Sequence, residues 1–226
     1  MHTLPTHSEV QAALKKVVAE QNGGFGLHMW ASVVDRDGIV RVVAFSGEDR
    51  GDQWPGSRVI SAQKANTANA FSLPGLTLST ANLFTATQPG GSLFGLQHSN
   101  PVDTSVAYGG DSEKIGTESD PMVGKKIGGV NVFGGGVALY AEDGTLLGAL
   151  GVSGDSSCAD HNIAWKLRCE LGLATIPGGV SPDGDDNIVY DIKDGVSASG
   201  WGHPECSADA TAIAKALPQT HPITKK

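Results

Sequence analysis

The stretch GGGVALYAEDGTLLGALGVSGDSSCADHNIAW, residues 134–165, decides how this chain is read. Val137, Leu139 and Ala141 alternate with Ala138 and Tyr140, Glu142-Asp143-Gly144 carries turn chemistry, and Leu146 to Val152 resumes the apolar run. Asp-Gly tolerates the positive φ of a tight two-strand turn, so the pattern predicts a β-hairpin. Ser153 to Ser157 breaks the alternation, Asp160 stands where a helix would open, and Ile163, Ala164 and Leu167 follow at helical spacing. The unit is strand, turn, strand, polar loop, helix.

Working outward, an earlier segment repeats the hairpin. His28 to Val34 alternates, Asp35-Arg36-Asp37-Gly38 turns, and Ile39 to Phe45 returns. Before it, Ser8 to Gln21 spaces Val10, Leu14, Val17 and Val18 as one helical face, with Ser8 as cap and Asn22-Gly23-Gly24 as stop. A polar loop, Ser46 to Gly56, contains Arg50-Gly51-Asp52, a triplet too short to read as an adhesion motif. A helix is predicted from Ser57 to Ser72, ended by Leu73-Pro74-Gly75, and a shorter one from Thr77 to Thr87. Residues 99–129 show little periodicity and much Gly, Ser and Asp; so long a loop serves function or an oligomer contact. Beyond Gly172 the clear signals are a strand from Asn187 to Ile192, the turn Gly200 to Cys206, and a helix from Ser207 to Leu217. Pro218 is expected to stop that helix, leaving a loose tail.

Composition narrows the partners. The 226 residues carry 16 Lys+Arg against 24 Asp+Glu, a net charge of -8, with no basic cluster beyond isolated lysine pairs. Nucleic acid is therefore not an expected partner, since phosphate neutralisation needs a basic face. No apolar run approaches the ~20 residues of a membrane-spanning helix, so no span is expected. The start, Met1-His2-Thr3-Leu4-Pro5, lacks a secretory pattern, which leaves two expectations: cytoplasmic, or periplasmic or secreted if a leader has been removed.

Two blocks resemble the GlcG/HbpS-like haem-binding family, which includes the C-terminal domain of PduO-type proteins. The first runs Gly135-Gly136-Val137, Asp143-Gly144, Gly151-Val152-Ser153-Gly154, then Asp160 with Ile163-Ala164; the second is Lys64-Ala65-Asn66-Thr67-Ala68 with Phe71. The resemblance covers roughly residues 8–172. It implies an α+β fold with about five antiparallel strands flanked by helices, which the two Asp-Gly hairpins also suggest. It gives a domain over residues 1–172, with an inserted loop at about 99–129, and a C-terminal extension, 173–226, packed on it. It also implies non-covalent binding of haem or a related tetrapyrrole in a storage, sensing or scavenging role, and homo-oligomer assembly.

Haem asks for an axial ligand, an apolar slot and cations or amides near its propionates. The candidate ligands are His161, His98, His28 and His203, with Met29, Met122, Tyr108 and Tyr140 behind them. No Cys-x-x-Cys-His occurs, so covalent attachment is not expected. His161 leads because it adjoins Asp160 at the polar loop, although a helix-terminal histidine is more often simply solvated. Lys64 and Thr67, matching the family block, are expected to line the pocket, with Lys64 holding a carboxylate. The alternative is an enzyme or metal-dependent redox protein acting on a small carboxylate, with Lys64 as its anion holder and Cys158 and His161 near the chemistry; a structural homo-oligomer module is a third reading.

The cysteines leave alternatives open. Cys158 and His161, and His203 and Cys206, form mirror-image pairs that would supply a tetrahedral set for zinc or another transition metal if the segments meet. A Cys158–Cys206 disulfide needs only the two cysteines to meet and is preferred, with Cys169 left as a buried thiol. All three cysteines unpaired is the plain alternative.

Overall fold

In the structure, a computed structural model describing residues 3–226, strands β1 (Trp30–Asp35), β2 (Val40–Phe45), β3 (Gly136–Tyr140) and β4 (Leu146–Ser153) form one antiparallel sheet. The order is β2-β1-β4-β3, so each Asp-Gly turn closes a hairpin and β1 joins the two through β4. The sheet has four strands rather than about five. Its edges are met by single bridges, Ile39 to Lys126 beside β2 and Tyr140 to Ala174 beside β3, in place of a further strand.

Strand alternation sorts the side chains into two layers. Ala31, Val33, Val42, Ala44, Val137, Leu139, Leu150 and Val152 pack against Val10, Leu14 and Val17 of α1 (His7–Val18) and Ile163, Ala164 and Leu167 of α3 (Ser157–Glu170). Trp30, Val34, Val43, Phe45 and Ala149 pack on the opposite side against Val59, Ala62, Ala65 and Ala68 of α2 (Gly56–Phe71). The helix α1 is capped by Thr6, in a reciprocal box with Glu9, two residues earlier than the expected Ser8. The helix α3 is capped by Ser156, which accepts from the Ala159 amide, so Asp160 falls in the first turn rather than at its start.

A row of small residues sets the distance between α2 and the sheet. Ser32, Gly151 and Gly136 lie side by side across β1, β4 and β3. A Cβ at Gly151 would strike the Ser61 carbonyl and the Ala65 amide, and one at Gly136 would strike the Lys64 carbonyl. The two glycines therefore let the α2 backbone rest on the strands, and Ser32 Oγ meets Ser61 Oγ at 2.7 Å beside them. That close approach carries Lys64 to the middle of the molecule.

Residues 99–129, unreadable by periodicity, cover the outer half of the α2 layer. Ala107, Met122 and Ile127 are buried against Trp30, Val40 and Val59. The C-terminal segment covers the other end. Here Asn187 to Ile192 is not a strand; Val189 makes one bridge to Gly202, and the two-residue strand begins only at Ile192. The last helix, α4 (Ala208–Thr220), is capped by Ser207 as expected but continues through Pro218. A proline leaves the carbonyl four residues back without its helical partner. That carbonyl, Ala214 O, instead accepts from Asn187 Nδ2 at 2.9 Å, which is why the helix does not stop. The tail is pinned too: Thr224–Lys225 pairs in parallel with Thr175–Ile176.

Candidate functional site

Two regions hold the residues that carry chemistry, and they differ in access. The first lies where α2, α3 and the C-terminal segment meet. Lys64, fully buried, places Nζ 2.6 Å from Asp160 Oδ2 and donates to the Val152 carbonyl at 3.1 Å. The Phe133 ring sits 5.0 Å from the same ammonium. Asp160 Oδ1 accepts from the Asp155 amide at 2.9 Å, and the Asp155 carboxylate in turn gathers the amides of Phe25 and Gly26. Burial pulls the Lys64 pKa down and pushes that of Asp160 up to about 6, against the attraction between them.

Two histidines complete this interior. His161 Nε2 lies 3.1 Å from Asn187 Oδ1 and 3.1 Å from the Ile188 amide nitrogen, and its Nδ1 has no partner among the described residues. His203 accepts from the Gly134 amide through Nε2 at 3.3 Å, with Nδ1 2.7 Å from the Pro204 carbonyl, a pattern that assigns the proton to Nδ1. Burial lowers both pKa values to about 4, so both rings are neutral near pH 7. Cys158 and Cys206 are joined in a disulfide that fastens the 203–206 turn to α3. Thr67, also fully buried, donates to the Gln63 carbonyl and accepts from the Asn131 amide.

This geometry corrects several expectations. The space beside Lys64, expected to be a pocket lined by Lys64 and Thr67, is occupied by the Lys64, Asp160 and Phe133 side chains themselves. The Lys64 ammonium is committed to Asp160, so it does not offer a free cation to a substrate carboxylate. The zinc set loses both sulfurs to the disulfide, and no cluster of three or more metal-ligating side chains exists among the described residues. His28 and His98 are exposed; His28 meets the Phe45 ring edge-on at 5.9 Å. Met29 and Met122 are core residues, and Tyr140 donates its hydroxyl to the Leu73 carbonyl.

The second region is open. A cleft of about 460 Å³ lies between the start of α2, the 49–51 turn and residues 107–115. Trp30, Val59 and Ile115 give it an apolar wall; Arg58, Arg50 and Tyr108 give it polar edges. Arg58 is buried and fixed, its Nε 2.8 Å from Asp120 Oδ2, its second nitrogen on the other carboxylate oxygen and its third donating to the Ala107 carbonyl at 3.1 Å. Asp120 also accepts from the amides of Gly116 and Met122, so one carboxylate shapes the far wall. Arg50, exposed, donates to the Ser112 carbonyl and bridges the two lips. Trp30, 1 % exposed, stacks on Phe45 with centroids 4.5 Å apart, and its indole N–H has no partner among the described residues. An apolar cavity of a few hundred Å³ with a few polar groups is the usual form of a small-molecule site.

Sequence reasoning passed over Arg50 as part of a chance triplet and left Tyr108 in a secondary group; nothing in the sequence marked Trp30 or Asp120. The one available signal was the length of the 99–129 loop, which pointed to function or an oligomer contact.

The family model described as "Haem degrading protein HbpS-like" matches residues 6–167. The chain belongs to the HbpS-like family. Of the solved structures, the PduOC:heme complex is 24 % identical, with a TM-score of 0.52, over 77 % of this chain and 99 % of that one. The Klebsiella pneumoniae protein ORFY is 23 % identical with a TM-score of 0.49, over 76 % of this chain and 94 % of that one. HbpS itself is 20 % identical with a TM-score of 0.45, covering 76 % and 90 %. No curated protein matches the sequence. The PduOC likeness supports the α+β fold; residues 173–226 lie wholly outside the family match.

Proposed function

We propose that this chain binds haem, or a closely related tetrapyrrole, non-covalently in the cleft between α2 and the 107–115 segment, in a storage, sensing or scavenging role. Residues 1–172 act as the binding domain and 173–226 as an extension that closes its other end. Membership of the HbpS-like family supports the ligand class, and one solved structure of the same fold is a heme complex. The observation that carries the reading is the cleft: its volume and apolar wall suit a flat hydrophobic ring, and the cationic Arg50 stands at its edge, where propionates need a partner.

The residues present fit such a ligand. The Trp30 indole N–H is a buried donor with no acceptor among the described residues, beside an apolar wall suited to a flat ring. Arg58 is held rigid by Asp120 and keeps the floor from collapsing onto the apolar wall. Arg50 spends one donor on Ser112 and keeps the rest of its fork for a carboxylate.

Titrating hemin into the purified protein tests this. The expected result is a saturable Soret shift with one ligand per chain, accompanied by quenching of the part of the tryptophan fluorescence that is lost in a Trp30→Phe variant. No saturable shift at micromolar protein would end the reading.

A further inference from the structure

We infer that Tyr108 supplies the axial ligand to the ferric iron of the bound tetrapyrrole; this rests on the proposed function above and names the residue that completes its site. A phenolate is one of the few side chains that hold haem iron, the others being imidazole, thiolate and thioether. Of the residues able to do so, Tyr108 is the one that lines the cleft. His161, beneath the C-terminal segment, and His203, within it, are sealed from solvent, with at most 2 % of either exposed. Met29 and Met122 are fully buried in the core, Cys158 and Cys206 are bonded to each other, and Tyr140 is tied to the Leu73 carbonyl. His28 and His98 are exposed but do not line the cleft.

Tyr108 is 71 % exposed, unusual for so large an apolar ring, and no hydrogen bond engages its hydroxyl among the described residues. The backbone on either side is fixed. The Tyr108 amide donates to the Thr104 carbonyl at 3.1 Å, and the Ala107 carbonyl is gripped by Arg58. The segment is thus anchored while the side chain remains uncommitted, which suits a ligand that must meet an incoming ring. As the oxygen binds iron, the phenol O–H breaks and its proton leaves to solvent; no electron is exchanged. Tyr108 lies in the 99–129 insertion, so the ligand is a property of this chain's elaboration rather than of either motif block.

Hemin titrations of the wild type, Tyr108→Phe and Tyr108→His, read by absorbance and by resonance Raman, test the assignment. The wild-type complex is expected to show phenolate vibrations enhanced with the haem bands. Tyr108→Phe should lose them and bind at least tenfold more weakly, and Tyr108→His should recover affinity with an imidazole-type spectrum. Because the side chain is exposed, the thermal unfolding of both apo variants should match the wild type. A Tyr108→Phe complex with the wild-type spectrum and affinity overturns the ligand assignment and leaves haem binding standing. Failure of the wild type to bind hemin at all overturns both.

Discussion

The buried polar cluster at the α2/α3 junction and the open cleft beside Trp30 differ in what their charges are for. In the first, Lys64 and Asp160 saturate each other, the two histidines are neutral, and a disulfide holds the cover in place. In the second, Arg58 is saturated by Asp120 but Arg50 and Tyr108 keep free polar atoms at the rim of an apolar space. The lesson is that a motif rich in ligand-type residues can be a device for closing a fold. Three buried ion pairs make the same point, because each joins separate parts of the chain. Lys64–Asp160 ties α2 to α3, Arg58–Asp120 ties α2 to the 99–129 segment, and Arg168–Asp186 ties α3 to the C-terminal segment.

The comparison breaks most decisively at Asp160. Asp160→Ala leaves the Lys64 ammonium buried without a counter-charge, which should cost about 3–5 kcal/mol. Replacing both members by apolar groups, Lys64→Met with Asp160→Leu, should recover most of that loss, since the desolvation of both charges is then avoided. Denaturant unfolding reads both effects. Hemin affinity of whatever folds should stay within about twofold of wild type, a change worth well under 1 kcal/mol. A stable Asp160→Ala protein that no longer binds hemin would reverse the roles of the two regions.

Acid should unfold the closed region from within. His161 and His203 have folded pKa values of about 4, below the unfolded 6.5, so the unfolded chain binds more protons between those limits. Their contribution is full above pH 6.5 and is lost as pH falls toward 4, by a few kcal/mol in all. Asp160 acts in the opposite sense: its folded pKa of about 6 lies above the unfolded value, so its contribution falls as pH rises through 6. The histidine effect is isolated by comparing urea midpoints across this range in the wild type and in His161→Gln/His203→Gln. A slope unchanged by the double substitution would show that the rings do not titrate on unfolding.

How much of this was legible in the sequence follows from the range of the forces involved. The hairpins were readable because Asp-Gly turns and strand alternation are local, and so were α2 and the Ser207 cap of α4. The cluster was half legible: residue types marked Lys64, Asp160, Cys158 and His161, but whether they face a ligand or one another depends on Gly136 and Gly151 admitting the α2 backbone to the sheet. Pro218 misled for a similar reason, since its unpaired carbonyl is satisfied by Asn187, twenty-seven residues away in sequence. The cleft was the least legible. Its wall combines a β1 tryptophan with a segment whose burial depends on Asp120 reaching Arg58, a contact across 62 residues that no periodicity announces.

The finest test of the open region is Arg50, because its removal should touch binding and almost nothing else. The side chain is exposed and its one hydrogen bond among the described residues is to the Ser112 carbonyl, so Arg50→Ala should shift stability by no more than about 0.5 kcal/mol. A charge-assisted hydrogen bond to a propionate at the rim of an apolar cleft is worth more than that, and its loss should weaken hemin binding about tenfold. Arg50→Lys should fall between the two, keeping the charge but not the fork that bonds Ser112 and a carboxylate together. Raising the salt concentration should narrow the gap between wild type and Arg50→Ala, because the pair is exposed on one side. If the alanine variant binds hemin as tightly as the wild type at every salt concentration, the cationic edge of the cleft takes no part in holding the ligand, and the ring must enter with its carboxylates facing another way.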